Sequence, residues 1–124
     1  MNRKKIFIAE DDPDVVEVLS EGLEGYEIVS AEDGKSALDL MRRDPPALAL
    51  IDVMMPRMNG AELNRSMKSD KALKDIPVII ITGRPNVRGL FSSDGEDRVA
   101  GFLEKPFTLK VLRREIRRTL EATD

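Results

Sequence analysis

Apolar residues along this chain fall into short uniform runs, and these alternate with segments in which apolar residues recur three or four positions apart. The short runs predict five strands, at residues 4–9, 26–31, 47–51, 78–81 and 101–104. The helically spaced segments follow the strands one by one. This alternation predicts one α/β domain over residues 1–124, with a parallel sheet, helices on both faces and right-handed crossovers.

Residues typical of helix starts precede most of the predicted helices. The predicted N-caps are Asp12 before Pro13, Asp33 before Gly34, Asn59 before Gly60, and Thr108. The segment after the fourth strand is different. It has one amphipathic turn at Val87, Leu90 and Phe91, Gly89 interrupts that turn, and a Ser-Ser-Asp-Gly stretch follows at residues 92–95. We therefore expect the fourth helix to be short or mobile.

The third predicted strand, residues 47–51, is apolar throughout and is followed at once by a carboxylate, Asp52. A uniformly apolar strand is typical of a parallel sheet that is buried on both faces. An aspartate at its end is costly to desolvate unless its charge is used. Because open α/β sheets bind ligands at the carboxyl ends of their strands, Asp52 is predicted to be the chemical centre.

The other predicted strands also end in polar residues, and a parallel sheet brings those ends to one edge. Glu10 and Asp11 follow the first strand, Thr82 ends the fourth and Lys105 follows the fifth. Clustered carboxylates repel one another unless a cation lies among them, and Mg²⁺ suits oxygen ligands. A metal, a lysine and a hydroxyl together fit the oxygens of a phosphoryl group that Asp52 could accept as an acyl phosphate.

The composition of the chain excludes several kinds of site. The 124 residues include no cysteine and no histidine, which excludes disulfides, Cys/His zinc sites and a Ser-His-Asp triad. No apolar run approaches the roughly 20 residues of a membrane span, and none after the basic start is long enough for a signal peptide, so we expect a cytoplasmic protein. Residues 105–118 carry six bases and one acid, and no aromatic residue lies among the bases after Phe107. This favours a solvated helix face over direct nucleic-acid binding.

Four motifs resemble, in this order and spacing, the receiver domain of two-component response regulators over essentially the whole chain. They are Ile-Ala-Glu-Asp-Asp-Pro at residues 8–13, Leu-Ile-Asp-Val-Met-Met-Pro at 50–56 with Asn-Gly at 59–60, Ile-Ile-Thr-Gly at 80–83, and Phe-Leu-Glu-Lys-Pro-Phe at 102–107. The resemblance implies a doubly wound, five-stranded parallel sheet of order 2-1-3-4-5, which is the flavodoxin-like fold. It also implies a signalling domain rather than an enzyme, with only self-catalysed phosphotransfer and autodephosphorylation.

The resemblance assigns roles around Asp52. Asp52 would be the phosphoacceptor, and its donor would be a histidine kinase or a histidine phosphotransfer protein. Asp11, Asp52 and the backbone carbonyl of Met54 would hold Mg²⁺, with Mn²⁺ as a substitute, and Glu10 would hold the ion through water. Lys105 would contact the phosphoryl group, with a cis peptide bond to the proline that follows it.

The resemblance also implies a switch pair, Thr82 and Phe102, that alters the binding of a downstream protein; a homodimer is left open. The hydroxyl would move toward the phosphate, and the ring would pack into the vacated space. Phe102 stands where the family often has tyrosine, so this ring cannot form a hydrogen bond from an outward position. The pattern at residues 95–101 also departs from the family and puts the region of the fourth helix in doubt as an output surface.

Three other functions are weighed against this hypothesis. A flavin-binding module would need phosphate-cradling N–H donors after the first strand, where this chain has acids at residues 10–12. An aspartyl phosphatase would need a cap segment, and the chain has none. A degenerate receiver that binds partners without phosphorylation is the alternative closest to the favoured one, and Mg²⁺-dependent phosphorylation separates the two.

Overall fold

The computed structural model of this chain describes residues 3–84, 86–91 and 98–123. Its strands are β1 (Lys5–Ala9), β2 (Glu27–Ala31), β3 (Leu48–Asp52), β4 (Val78–Thr82) and β5 (Gly101–Glu104). Its helices are α1 (Pro13–Gly22), α2 (Gly34–Arg43), α3 (Gly60–Lys68) and α4 (Leu109–Thr123), with a 3₁₀ turn at Arg88–Leu90. The predicted alternation is therefore confirmed, with strand limits shifted by about one residue.

All five strands are parallel, and their spatial order is β2-β1-β3-β4-β5. The predicted doubly wound, flavodoxin-like α/β fold is confirmed. The order reverses between β1 and β3, which pair in register from Ile6↔Leu48 to Ala9↔Ile51. Parallel sheets of this kind bind ligands where the strand order reverses. A ligand site is therefore expected at the carboxyl ends of β1 and β3.

The sheet separates two apolar layers. One face contributes Phe7, Ala9, Ala49 and Ile51 to a core with α2 and α3. The other face contributes Ile6, Ile8, Leu48 and Leu50 to a core with α1 and α4. Successive residues of a strand point to opposite faces, so a strand with both faces covered has no exposed position along its length. This explains why every residue of β3 and β4 is buried.

The predicted helix caps are present. Asp12, Asp33 and Thr108 accept hydrogen bonds from the backbone N–H groups of Asp14, Ser36 and Val111 at 2.9, 2.8 and 3.1 Å. Asn59 and Glu62 form a reciprocal capping box at the start of α3. These bonds satisfy backbone donors that would otherwise be left free in the first turn.

The region of the predicted fourth helix is short. Among the described residues between β4 and β5, the regular element is the 3₁₀ turn Arg88–Leu90. Of the three residues predicted to form an amphipathic turn, Phe91 is buried and Val87 is partly buried, whereas Leu90 is half exposed. The Ser-Ser-Asp-Gly stretch at 92–95 lies outside the described residues. Within the part of the chain that is described, no helix has the length and apolarity needed to cross a membrane.

Candidate functional site

Three carboxylates meet where the strand order reverses. Asp52 is the last residue of β3, and Glu10 and Asp11 directly follow its neighbour β1. One oxygen from each of the three side chains lies within 4.8 Å of the others. Glu10 and Asp52 are buried, whereas Asp11 is exposed. The cluster is therefore closed on the protein side and reachable from solvent past Asp11.

Lys105 lies between the two buried carboxylates. Its Nζ is 2.7 Å from Glu10 Oε1 and 3.0 Å from Asp52 Oδ2. Partial burial works against the charge of the lysine, but the hydrogen bonds to the two carboxylates outweigh burial and raise the pKa of Lys105. A backbone hydrogen bond of 2.7 Å from Lys105 N to Thr82 O fixes the start of this segment beside β4. The Lys105–Pro106 peptide bond is cis.

The second oxygens of the buried carboxylates accept backbone hydrogen bonds. Met54 N donates to Asp52 Oδ1 at 3.0 Å, and Asp12 N donates to Glu10 Oε2 at 3.3 Å. Burial, together with the nearby Asp52 charge, raises the pKa of Glu10 to about 7, although the hydrogen bond from Lys105 opposes this rise. Glu10 can therefore lose or gain a proton close to neutral pH.

The net charge and the donor atoms of this cluster decide whether a divalent cation fits. Three carboxylates face one lysine, so the fully ionised group carries more negative than positive charge. The donor atoms are all oxygens, and hard divalent ions such as Mg²⁺ prefer oxygen. The residues present thus fit a divalent cation that reaches the exposed side of the cluster at Asp11.

Thr82 and Phe102, the two predicted switch residues, line one cavity of about 430 Å³. The buried Thr82 hydroxyl accepts a hydrogen bond from Arg84 N at 3.0 Å and donates to Arg84 O at 3.4 Å. It is thus bonded to the loop after β4. Phe102 pairs with Ile80 on β4 and is only partly buried. The cavity between hydroxyl and ring gives both side chains room to move.

Two arginine contacts near the site have no signal in the sequence pattern. The Arg88 guanidinium lies 4.5 Å from the centre of the Phe102 ring. Arg57, in the loop between β3 and α3, donates to Asp33 Oδ1 and Ser36 Oγ, both at 2.9 Å. Each contact joins residues that are distant in the sequence, so only the folded chain brings the partners together.

The loop that follows Asp52 packs tightly against α2 and α3. Arg57 has a positive φ of 67°, a conformation that costs non-glycine residues energy. A Cβ at Gly34 would overlap the Met58 carbonyl, and one at Gly60 would lie 2.5 Å from the Asp52 carbonyl oxygen. Hydrogen bonds from the Ser36 backbone N–H and from Arg57 keep the pKa of Asp33 below its usual value. These contacts hold the loop close to the carboxylates.

Comparisons with known proteins point to one family. The sequence profile described as response regulator receiver domain matches residues 6–117. The response regulator MprA of Mycolicibacterium vanbaalenii is 36% identical, over 96% of this chain and 51% of its own length. The chain spans about half the length of the curated relatives it matches.

Solved structures give the same fold. The signal receiver domain of a signal transduction histidine kinase from Syntrophus aciditrophicus has a TM-score of 0.84 and 34% identity, over 96% of this chain and 91% of its own. The receiver domain of a sensor histidine kinase from Pseudomonas aeruginosa PAO1 has a TM-score of 0.87 and 22% identity, over 96% of this chain and 98% of its own. A magnesium ion is coordinated in the active site cleft of that second protein, and at this identity the likeness concerns the fold alone.

Proposed function

This chain belongs to the response regulator receiver domain family of two-component signalling, and from this premise we propose that residues 1–124 form a receiver domain in which Asp52 is the phosphoacceptor. One observation carries the proposal. Asp52 is buried at the carboxyl end of β3, with Lys105 Nζ at 3.0 Å and two further carboxylates in the same cluster. A lone structural aspartate would not need this surrounding charge.

The proposed reaction is the transfer of a phosphoryl group from a phosphohistidine. A carboxylate oxygen of Asp52 attacks phosphorus, an O–P bond forms, the P–N bond to the donor breaks, and the donor imidazole nitrogen takes a proton from solvent. The product is an acyl phosphate on Asp52. Because residues 1–124 include no histidine, the donor histidine lies outside them, on a histidine kinase or a histidine phosphotransfer protein. Lys105 offsets the charge of the incoming oxygens.

The excess negative charge of the cluster supports a bound Mg²⁺. We assign Asp11, Asp52 and the Met54 carbonyl as ligands, with Glu10 acting through water; Mn²⁺ is a chemically similar substitute. When bound, the ion supplies positive charge against the oxygens of the transferred group. The chain's own part is to keep the carboxylates in place, through Met54 N on Asp52 and Asp12 N on Glu10.

The output of the proposed reaction passes through Thr82 and Phe102. In the structure the Thr82 hydroxyl is bonded to Arg84 rather than to a site residue. On phosphorylation we expect the hydroxyl to turn toward the phosphoryl group and the Phe102 ring to move into the cavity that the two residues share. The surface presented to a downstream protein then changes. A phosphorylation-independent binding module is the alternative, and the unusual region of the fourth helix favours it, since its regular element among the described residues is the 3₁₀ turn Arg88–Leu90.

Intact-mass measurement tests the proposal. With acetyl phosphate and Mg²⁺ we expect a single phosphoryl adduct, and removal of Mg²⁺ should abolish it. Asp52→Asn should abolish it too, whereas Asp39→Asn, an exposed aspartate on α2, serves as the matched control and should be labelled like the wild type. A wild-type chain that acquires no adduct would favour the binding module, and an equally labelled Asp52→Asn variant would place the acceptor elsewhere.

A further inference from the structure

Arg88 is the closest cationic contact of the Phe102 ring among the described residues. Its guanidinium lies 4.5 Å from the ring centre, well within the range of a cation–π interaction. Phe91, three positions along the same loop, meets the ring edge-on at a centroid distance of 5.5 Å and an interplanar angle of 71°. The ring is therefore held by two different residues of the loop between β4 and β5.

In the described part of the chain, the Phe102 ring is the partner that the structure shows for the Arg88 guanidinium. Among the described residues no carboxylate forms an ion pair with Arg88, and the side chain is exposed. An aromatic ring without a hydroxyl cannot be anchored by a hydrogen bond, but its face attracts a cation. The Arg88 guanidinium therefore holds the Phe102 ring by an interaction that does not require a hydroxyl group.

The position of Arg88 links this attachment to the proposed switch. Arg88 begins the 3₁₀ turn Arg88–Leu90 and lines the same 430 Å³ cavity as Thr82 and Phe102. Arg84, which holds the Thr82 hydroxyl, lines that cavity as well. The loop after β4 therefore contacts both switch residues in the unphosphorylated chain, the hydroxyl through Arg84 and the ring through Arg88.

We propose that Arg88 is a positioning residue that holds the Phe102 ring out of the cavity beside Thr82 and so opposes switching until Asp52 is phosphorylated. This inference rests on the proposed phosphoacceptor function of Asp52 and describes how the switch that follows it is regulated. The contact is exposed, so its expected bias is modest: a cation–π contact of this kind shifts a two-position equilibrium about two- to fivefold.

A first experiment tests the contact without any phosphate. Protons near the Arg88 guanidinium should show an upfield ring-current shift in the NMR spectrum of the metal-free chain. Phe102→Leu should remove that shift, because leucine fills space but has no ring. Unshifted Arg88 resonances in the wild type would overturn the proposal, whatever the outcome at Asp52.

A second experiment measures the initial rate of Mg²⁺-dependent phosphorylation by acetyl phosphate. Arg88→Met keeps length without charge, so it should raise the rate about two- to fivefold by freeing the ring. Arg88→Lys keeps a cation that interacts more weakly with the ring. Its phosphorylation rate should therefore lie between those of the wild type and Arg88→Met. In a Phe102→Leu background the Arg88→Met change should have no effect, which distinguishes a contact with the ring from a general charge effect.

The two experiments distinguish a failure of the Arg88 role from a failure of the phosphoacceptor function of Asp52. Equal rates for the wild type and Arg88→Met, or an equal increase with and without the Phe102 ring, would overturn the role of Arg88 and leave the phosphoacceptor intact. A wild-type chain that is not phosphorylated at all would overturn the function of Asp52 and the switching role together, while the NMR measurement would still decide the contact. Thermal unfolding of each variant checks that the fold is unchanged.

Discussion

The ammonium group of Lys105 lies 3.0 Å from Asp52 Oδ2, so the base that follows β5 neutralises the acid that ends β3. The two residues are 53 positions apart in the sequence. Because Asp52 is buried, its charge depends on such a partner. The same lysine also contacts Glu10, and so it competes with any cation for two of the three carboxylates.

Lys105→Met should separate metal binding from phosphotransfer. The variant keeps the apolar stem and loses the charge, so Mg²⁺ should bind more tightly because no ammonium competes for Glu10 and Asp52. Phosphorylation by acetyl phosphate should slow about 100-fold, the usual cost of losing one fixed donor to a reacting group. Calorimetric Mg²⁺ titration and intact-mass kinetics check the two effects. Lys110→Met, on the exposed side of α4, is the control, and weaker Mg²⁺ binding in the Lys105 variant would contradict the competition.

The raised pKa of Glu10, about 7, predicts a pH-dependent response to Mg²⁺. In the metal-free chain the folded state binds more protons at Glu10 than the unfolded state between about pH 4.5 and 7, so this residue's contribution to the free energy of unfolding falls as pH rises through that window. Mg²⁺ requires the ionised carboxylate, so its stabilising effect should be larger at about pH 8 than at about pH 6. Thermal unfolding with and without Mg²⁺ at the two pH values measures this difference. Glu10→Gln should reduce the difference between the two pH values. An equal Mg²⁺ effect at both pH values would contradict the prediction.

Removing Arg57 should weaken the metal site without touching a proposed ligand. Its hydrogen bonds to Asp33 and Ser36 tie the loop after Asp52 to α2. The arginine is more than half exposed, so Arg57→Ala should lower the free energy of unfolding by less than about 1 kcal/mol. Mg²⁺ affinity should fall severalfold because the loop that carries Met54 is less constrained.

Arg57→Gly serves as the matched variant for that prediction. Glycine adopts the positive φ of this position without strain, so its stability should equal or exceed that of Arg57→Ala. Its Mg²⁺ affinity should be low like that of the alanine variant, because both lack the hydrogen bonds. If calorimetry gives the glycine variant the wild-type affinity, backbone strain rather than the arginine contact controls the loop.

Gly34→Ala should destabilise the fold because its Cβ would overlap the backbone carbonyl of Met58. Backbone cannot move aside like the end of a flexible side chain, so we expect a loss of about 2–3 kcal/mol in urea unfolding. Gly89→Ala is the control, since no heavy atom of the described residues beyond its chain neighbours lies within 4 Å of the added carbon, and its change should stay within about 0.5 kcal/mol. Equal stabilities of the two variants would contradict the close packing of the loop on α2.

The sequence by itself determined the elements and the polar residues that meet at one edge of the sheet. Apolar runs without a polar position predicted strands covered on both faces, and β3 and β4 are buried along their whole length. Capping at Asp12, Asp33, Asn59 and Thr108 is a contact between residues two or three positions apart. Such features follow from local periodicity and local hydrogen bonding, which the order of residues contains.

Only the tertiary structure decided how the polar groups meet. The parallel sheet implied that Glu10, Asp52 and Lys105 share an edge, but it did not show that the lysine lies between both acids. Arg88 and Arg57 lie between regular strands and helices, where no periodicity fixes the direction of a side chain, and they contact Phe102 on β5 and Asp33 before α2. Those positions depend on the packing of elements distant in sequence, and packing is a property of the folded chain.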